Sequence, residues 1–337
     1  MFEDMNFSSL VKQLPMLGSQ ARQLSLAIEE TNRMLKYRLS HDPYDPSRSY
    51  PESLSEREQI GCTILMSFTS NMMQTQLREY FTFIAANKLV DGFSTTAHGL
   101  ELDIFYSITK TSPTGDNPLI SKQNQDTLIS FLESQFILME KLQNFQLCPT
   151  RFLEFIGQNL SSGFLFECAR TKTPVFCPAI TDGLFGNALC QTKTRLVIDQ
   201  VADIRGINTL VKRSVRTGSI ILGAGISKHH VNKASLMNDR GADYAVYINT
   251  AEEFDGSDAG ATPDEAVGCG KVSVNAQAVK VHSDVSLVFP ILFMETFYKE
   301  LENNKEFYAN KKREDVQDTY LVEIDKQNKK KLKAQQK

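Results

Sequence analysis

The chain has 337 residues, 41% of them hydrophobic and 23% charged, with a formal net charge of -3. That length can bury a large core, as one big domain or two, and the near-neutral balance leaves no global electrostatic footprint for nucleic acid. No apolar run is long enough to span a bilayer, the start MFEDMNFSSL lacks a signal peptide's basic and apolar regions, and six cysteines without a CxxC pair or zinc spacing fit a reducing cytosol.

In chain order, residues 5–38 read as a helix, with Leu10, Leu14, Leu17, Leu24, Ile28 and Leu35 at helical spacings. SHDPYDPSRSYPESLSEREQ follows as a loop rich in proline and serine. From residue 61 one order recurs: short apolar strand, small polar turn, helix. CTILMSF runs into Thr69-Ser70-Asn71 and a helix to about residue 88, and VDGFSTT into His98-Gly99 and a helix to about residue 110. Helices near 123–145 and 150–160 precede the strands TPVFCPAI, RLVI, SIILGAG and DYAVYINT, and VSVNAQAVKV is strand-like near the end. This alternation predicts an α/β fold, a Rossmann-like, mostly parallel sheet flanked by helices. The organisation expected is an N-terminal helix and loop over 1–60, one large α/β unit over 61–310, and a tail over 311–337 with six lysines in its last twelve residues. Such a tail reads as a solvated, disordered end.

Ligands of such sheets sit beyond the carboxyl ends of the strands, where this chain places its polar clusters. Gly223-Ala224-Gly225 follows a strand and opens a helical pattern, so a nucleotide phosphate could lie there, although the motif is short of a full GxGxxG and also suits a plain tight turn. Lys228-His229-His230 gives no metal site, because adjacent residues on a helix diverge and no third ligand stands at a zinc-like spacing. One histidine as general base, or in a capping or core role, remains open. The stretch FDGSDAGATPDEAVGCGK sets Asp255, Asp258, Asp264 and Glu265 among glycines and ends on Lys271. It reads either as a solvated acidic loop or as carboxylates for a polycation, with a desolvated lysine able to form an imine. The acids lack the EF-hand spacing.

The segment from SKHHVNKASLMNDRGADYAVYINTAEEF through that stretch resembles deoxyhypusine synthase, as do CTILMSFTSN, VDGFSTTAHGLELD, TPVFCPAITDG and VKVHSDVSLVFP. The resemblance covers about residues 5–305. It implies an NAD-dependent enzyme that oxidises spermidine and passes its butylamine portion, through a lysine imine, to one lysine of the hypusine-containing translation initiation factor. By position it implies Lys271 as the imine lysine, His229 as base, and Asp258 and Glu265 as spermidine carboxylates. Glu101, Asn187 and Cys269 fall at its other substrate positions. Ser70, Asn71, Thr95, Thr96, Asp182, Gly223, Gly225, Thr250, Asp255, Ala259 and Asp284 match its dinucleotide contacts or their neighbours. It further implies a cytoplasmic tetramer built from dimers, with active sites at the dimer interface.

The departures fall at the family's substrate positions. His98-Gly99-Leu100-Glu101-Leu102-Asp103 stands where the family has Gly-Gly-X-Glu-Glu-Asp, Asn187 stands for an aspartate, and Cys269 for a tryptophan. The chain has no tryptophan. Several protists divide this enzyme between paralogues. The expected function is therefore a deoxyhypusine synthase subunit that needs a paralogous partner for full activity. A deoxyhypusine synthase active on its own with a retuned pocket, which Lys271 and His229 favour, a regulatory subunit with little activity of its own and a homospermidine synthase are the alternatives. A pure binding module for the factor is disfavoured by the retained Lys271.

Overall fold

A computed structural model describes residues 7–47, 50–142, 146–311 and 313. The chain opens with α1 (Phe7–Gln13), a 3-10 turn at Leu14–Met16 and α2 (Ser19–Lys36). The single helix expected over 5–38 is thus two, because Gly18 adopts a φ of +121°, a conformation no helix contains; residues 5 and 6 lie outside the described residues. The proline-rich segment carries one short helix, α3 (Leu54–Glu58), fixed by buried Arg57, whose guanidinium donates to the Leu39 carbonyl at 2.9 Å.

The repeating units then follow: β1 (Thr63–Phe68), α4 (Leu77–Ala86), β2 (Gly92–Ser94), α5 (Ala97–Thr109), α6 (Lys122–Lys141), β3 (Gln146–Leu147), α7 (Pro149–Gln158), α8 (Phe164–Thr171), β4 (Val175–Phe176), α9 (Leu184–Gln191), β5 (Val197–Ile198) and α10 (Gln200–Arg213). The second half holds β6 (Thr217–Leu222), α11 (Gly225–Ser235), β7 (Tyr244–Asn249), α12 (Pro263–Gly268), β8 (Val279–His282), α13 (Val285–Phe293), a π-helical turn at Met294–Tyr298, α14 (Lys299–Asn303) and α15 (Lys305–Asn310).

Six strands form one sheet in the order β4-β2-β1-β6-β7-β8, and every pair in it is parallel. Taken in the order of these six along the chain, that is 3-2-1-4-5-6, the doubly wound dinucleotide-binding order, whose direction reverses between β1 and β6. The expected α/β fold is present. Ile64, Met66 and Phe68 face one apolar layer and Leu65 the other, as do Ile220 and Leu222 against Ile221. A strand with a layer on both faces has no solvent-facing side, which is why Ile64-Leu65-Met66 and Ile220-Ile221-Leu222 read as consecutive apolar residues. On one side α2 lies against β7 and β8 with Leu24, Ala27, Ile28, Thr31, Met34 and Leu35 buried at helical spacing. The N-terminal helical segment therefore shares the main core.

Two strand expectations are corrected. RLVI contributes β5, which pairs only with β3 in a separate two-stranded sheet; Val197 is 56% exposed and has no second layer to bury it. VSVNAQAVKV supplies a strand only at Val279–His282, since Val274 projects into solvent and a turn occupies the middle. The helix expected to residue 145 ends at Lys141, and 143–145 lie outside the described residues. The lysine-rich end of the chain does too. Its first described cations are tied to the body, Lys311 by Asp91 at 2.6 Å and Arg313 by the Thr171 carbonyl at 3.5 Å.

Buried charge is placed where backbone needs it. Asp103 has no solvent exposure, accepts from the first amides of α8 (Phe164 N at 2.9 Å, Leu165 N at 2.8 Å), and pairs with Arg78 at 2.8 Å. Gly163 precedes those amides with a φ of +104°, and a Cβ there would meet Ser107 Oγ at 2.3 Å. Among the described residues no helix is long and apolar enough to cross a membrane.

Candidate active site

The carboxyl ends of β1, β6, β7 and β8 open on a cleft of about 320 Å³ lined by Thr69, Asn71, Gly223, Ala224, Asn249, Thr250, Ser283 and Asp284, among others. Its floor is the turn between β6 and α11. Gly223 has a φ of +85° and a Cβ there would lie 2.7 Å from Thr69 Cγ2, so only glycine lets β6 pass this close to the end of β1. Gly225, at φ +76° with open space before it, begins the 11-residue α11, whose first amides face no earlier turn. Asn249 steadies the far wall, donating to the Gly223 carbonyl at 3.3 Å and accepting from Ala251 N at 3.1 Å. Asp284 caps α13 through Ser286 N at 2.8 Å. Hydroxyls, a carboxylate and a helix N-terminus on a glycine floor suit a dinucleotide's phosphates and riboses.

Of the residues expected at such a site, Asn71, Gly223, Thr250 and Asp284 line the cleft, and Ser70 and Gly225 adjoin them in chain. Thr95, Thr96 and Asp182 stand after β2 and β4, at the same end of the sheet but off the cleft lining. Asp255 and Ala259 belong instead to the loop beyond β7.

That loop leads to a second, smaller cavity of about 120 Å³, lined by residues including Lys228, Tyr247, Asp258, Glu265, Cys269 and Lys271. Local sequence explains how it is built. Thr262 accepts from Glu265 N at 3.4 Å and Pro263 takes the first helical position, which starts α12. Gly270, at φ +74°, turns the chain after α12 so that Lys271 N reaches the Ala266 carbonyl at 2.8 Å. The Lys271 side chain then points at Asp258, with Nζ 3.4 Å from Oδ1. His229, on α11, sits 3.8 Å from the same oxygen and is half exposed. The other oxygen, Asp258 Oδ2, is buried with no hydrogen-bond partner. A buried carboxylate oxygen left unpaired is costly, so the cavity is suited to a cationic donor from a ligand.

The remaining expected substrate residues are not gathered here. Glu101 is fully buried on α5, accepts from Phe185 N at 2.8 Å, and lies 3.7 Å from His98 Nδ1. It caps α9 across Gly183, where a Cβ would lie 2.5 Å from its carboxylate. Asn187 is exposed on α9. Lys228, Asn232 and Tyr247 line the small cavity, yet sequence reasoning weighed Lys228 only for metal and passed over the other two. The available signal was spacing, since Lys228 and Asn232 at i and i+4 share one face of α11. Among the described residues no group of three or more candidate ligands could hold a metal ion.

The sequence model described as deoxyhypusine synthase matches residues 9–296. The chain belongs to the deoxyhypusine synthase family. A Caenorhabditis elegans deoxyhypusine synthase is 38% identical over 326 residues, 88% of this chain and 86% of that protein. Homospermidine synthase 2 of Senecio vernalis is 37% identical, with 86% of this chain and 85% of that protein covered. A crystal structure of an Entamoeba histolytica protein designated deoxyhypusine synthase superposes with a TM-score of 0.68 at 28% identity, covering 93% of this chain and 97% of that one. Within this family framework the three departures separate: Cys269 is exposed at the Lys271 cavity, Asn187 faces solvent, and Leu102 is fully buried in the main apolar core.

Proposed function

We propose that the chain is an NAD-dependent aminobutyl transferase subunit that moves the butylamine portion of spermidine through Lys271 to a lysine of the hypusine-containing translation initiation factor. The observation that carries this reading is the cavity in which one Asp258 oxygen meets Lys271 at 3.4 Å while the other is buried and unpartnered. An ammonium of a polyamine satisfies that oxygen, and Glu265, on the same cavity, offers a second carboxylate along a thin polycation. NAD, when bound in the cleft floored by Gly223, supplies the two-electron acceptor for the amine carbon. Asn71, Gly223, Thr250 and Asp284 are the lining residues that would hold it.

Lys271 then acts as nucleophile. Its amine adds to the oxidised carbon–nitrogen double bond, the three-carbon diamine leaves with the bonding pair, and the four-carbon amine stays on Lys271 as an imine. His229, beside Asp258, is placed to take the proton lost from the secondary amine. The acceptor lysine repeats the exchange and releases Lys271, and the two electrons held by the bound dinucleotide would be returned to the new imine, so that the transferred group ends as a secondary amine. Full activity is assigned to a tetramer with a paralogous chain, because Cys269 leaves the cavity without the family's aromatic wall. Six free cysteines, four of them buried, support a cytosolic setting.

The homospermidine synthase relatives favour a second reading that differs only in acceptor, a free diamine in place of the protein lysine. Labelled spermidine and NAD, offered with the factor or with putrescine, separate the two. Label in the factor, increased by a co-expressed paralogue, is the expected result. Label only in a homospermidine product would select the second reading, and label in neither would refute both.

A further inference from the structure

Two lysines hold the loop on which Asp258 rides. Lys228 has 1% exposure, and its Nζ donates to the carbonyls of Asp258, of Ala259 at 3.3 Å and of Ala261 at 3.4 Å. Three carbonyls around one nitrogen suit the ammonium, which has three hydrogens to give. The Tyr247 ring lies under it, with Nζ 5.2 Å from the centroid, and Tyr247's hydroxyl is occupied by Asn232 at 3.2 Å. Lys280, on β8, donates to the Ala251 carbonyl at 3.1 Å and the Gly260 carbonyl at 2.7 Å. The segment between them doubles back so tightly that a Cβ on Gly260 would lie 2.0 Å from the Glu252 carbonyl oxygen.

Burial disfavours the charged form of Lys228, and Asp258 opposes that effect. A buried ammonium spent entirely on backbone carbonyls is not arranged to bind a polycation, which it would repel. Its partners are instead the stretch that carries Asp258. Lys280 ties the start of the same stretch, and Ala251 lies on the dinucleotide cleft.

We propose that Lys228 and Lys280 are positioning residues that clamp loop 251–261 by its carbonyls and so hold the Asp258 carboxylate against Lys271 and His229. This rests on the reading of the Lys271 cavity given above. Replacement by methionine keeps chain length and apolar volume while removing the donors. In Lys228→Met the amides of 252–262 are expected to exchange with deuterium at least about tenfold faster, with β1 and β6 unchanged. Imine trapping at Lys271 is expected to fall at least about tenfold, while NAD affinity stays within about twofold; Lys280→Met is expected to weaken both ligands. If Lys228 acts through Asp258, adding Lys228→Met to Asp258→Asn causes little further loss of spermidine affinity. Unchanged loop exchange in Lys228→Met, or losses that multiply in the double variant, would overturn the clamp. Absence of trapping in the wild-type complex would refute the functional reading instead, and the exchange experiment would still decide the clamp.

Discussion

Asp258 Oδ1 stands 3.4 Å from Lys271 Nζ and 3.8 Å from His229 Nδ1, so one carboxylate joins the proposed nucleophile to the proposed base. The three residues come from α11, the loop after β7, and the residue beyond Gly270. They meet only because both chain segments leave the same end of the sheet.

Asp258→Asn keeps the shape of that junction and removes its charge. Spermidine affinity is expected to fall by about 10- to 100-fold, roughly 1–3 kcal/mol for a charge-assisted contact, with NAD affinity little changed. Isothermal calorimetry with each ligand checks this. Equal losses for both ligands would show that the two cavities are not separate sites.

Gly223→Ala tests the cleft floor. Both the φ of +85° and the 2.7 Å approach of Thr69 oppose a methyl group, so the turn must shift. NAD is expected to raise the wild-type melting temperature and to lose most of that effect in the variant. A full NAD-dependent shift in Gly223→Ala would remove the cleft as the dinucleotide site.

His230 gives a pH dependence with a defined sign. Burial, aided by neighbouring His229 and Lys233, lowers its imidazole from 6.5 to about 4. Its Nε2 is buried without a partner. The unfolded chain takes up a proton near pH 6.5 and the folded chain only near pH 4. Stability is therefore expected to fall as pH drops through that window, by up to about 3 kcal/mol, with no such change above pH 7. Urea midpoints at pH 7.5 and 4.5 measure it, and His230→Phe should show a smaller loss. Identical losses in both proteins would contradict the assignment.

Cys269→Trp and Leu102→Glu should part company. Cys269 is exposed at the Lys271 cavity, so a tryptophan there adds an aromatic wall and is expected to tighten spermidine binding by up to about tenfold. Leu102 has no exposure and lies in the main core, where a glutamate would be buried among apolar side chains at a cost above about 3 kcal/mol. Returning the family's residue at 102 in this chain alone is expected to destabilise the fold without restoring substrate affinity. A soluble, equally stable Leu102→Glu chain with tighter spermidine binding would refute that placement.

The sheet was legible because doubly buried parallel strands leave a plain trace: CTILMSF, SIILGAG and DYAVYINT each carry three or more consecutive apolar residues and end in small polar turns. RLVI misled because four residues of apolar character do not reveal whether a second layer exists to cover them. Gly18 was hidden inside a continuous helical spacing, which a single left-handed residue breaks without altering the pattern of leucines. At the site, the lysine and acids were visible as chemistry. The service of Lys228 was not, because its partners are carbonyls about 30 residues away that carry no sequence signal. Glu101 likewise reads as a charge in sequence and is found capping α9, a role set by tertiary contact with Phe185 N.

Lys271 is the residue proposed to carry the four-carbon group. Borohydride reduction of the protein with labelled spermidine and NAD, alone and with its paralogous partner, followed by peptide mass spectrometry, tests it directly. One aminobutyl adduct is expected, on Lys271, and none in Lys271→Arg, because a guanidinium cannot serve as the nucleophile. An adduct on another residue, or one that persists in Lys271→Arg, would contradict it.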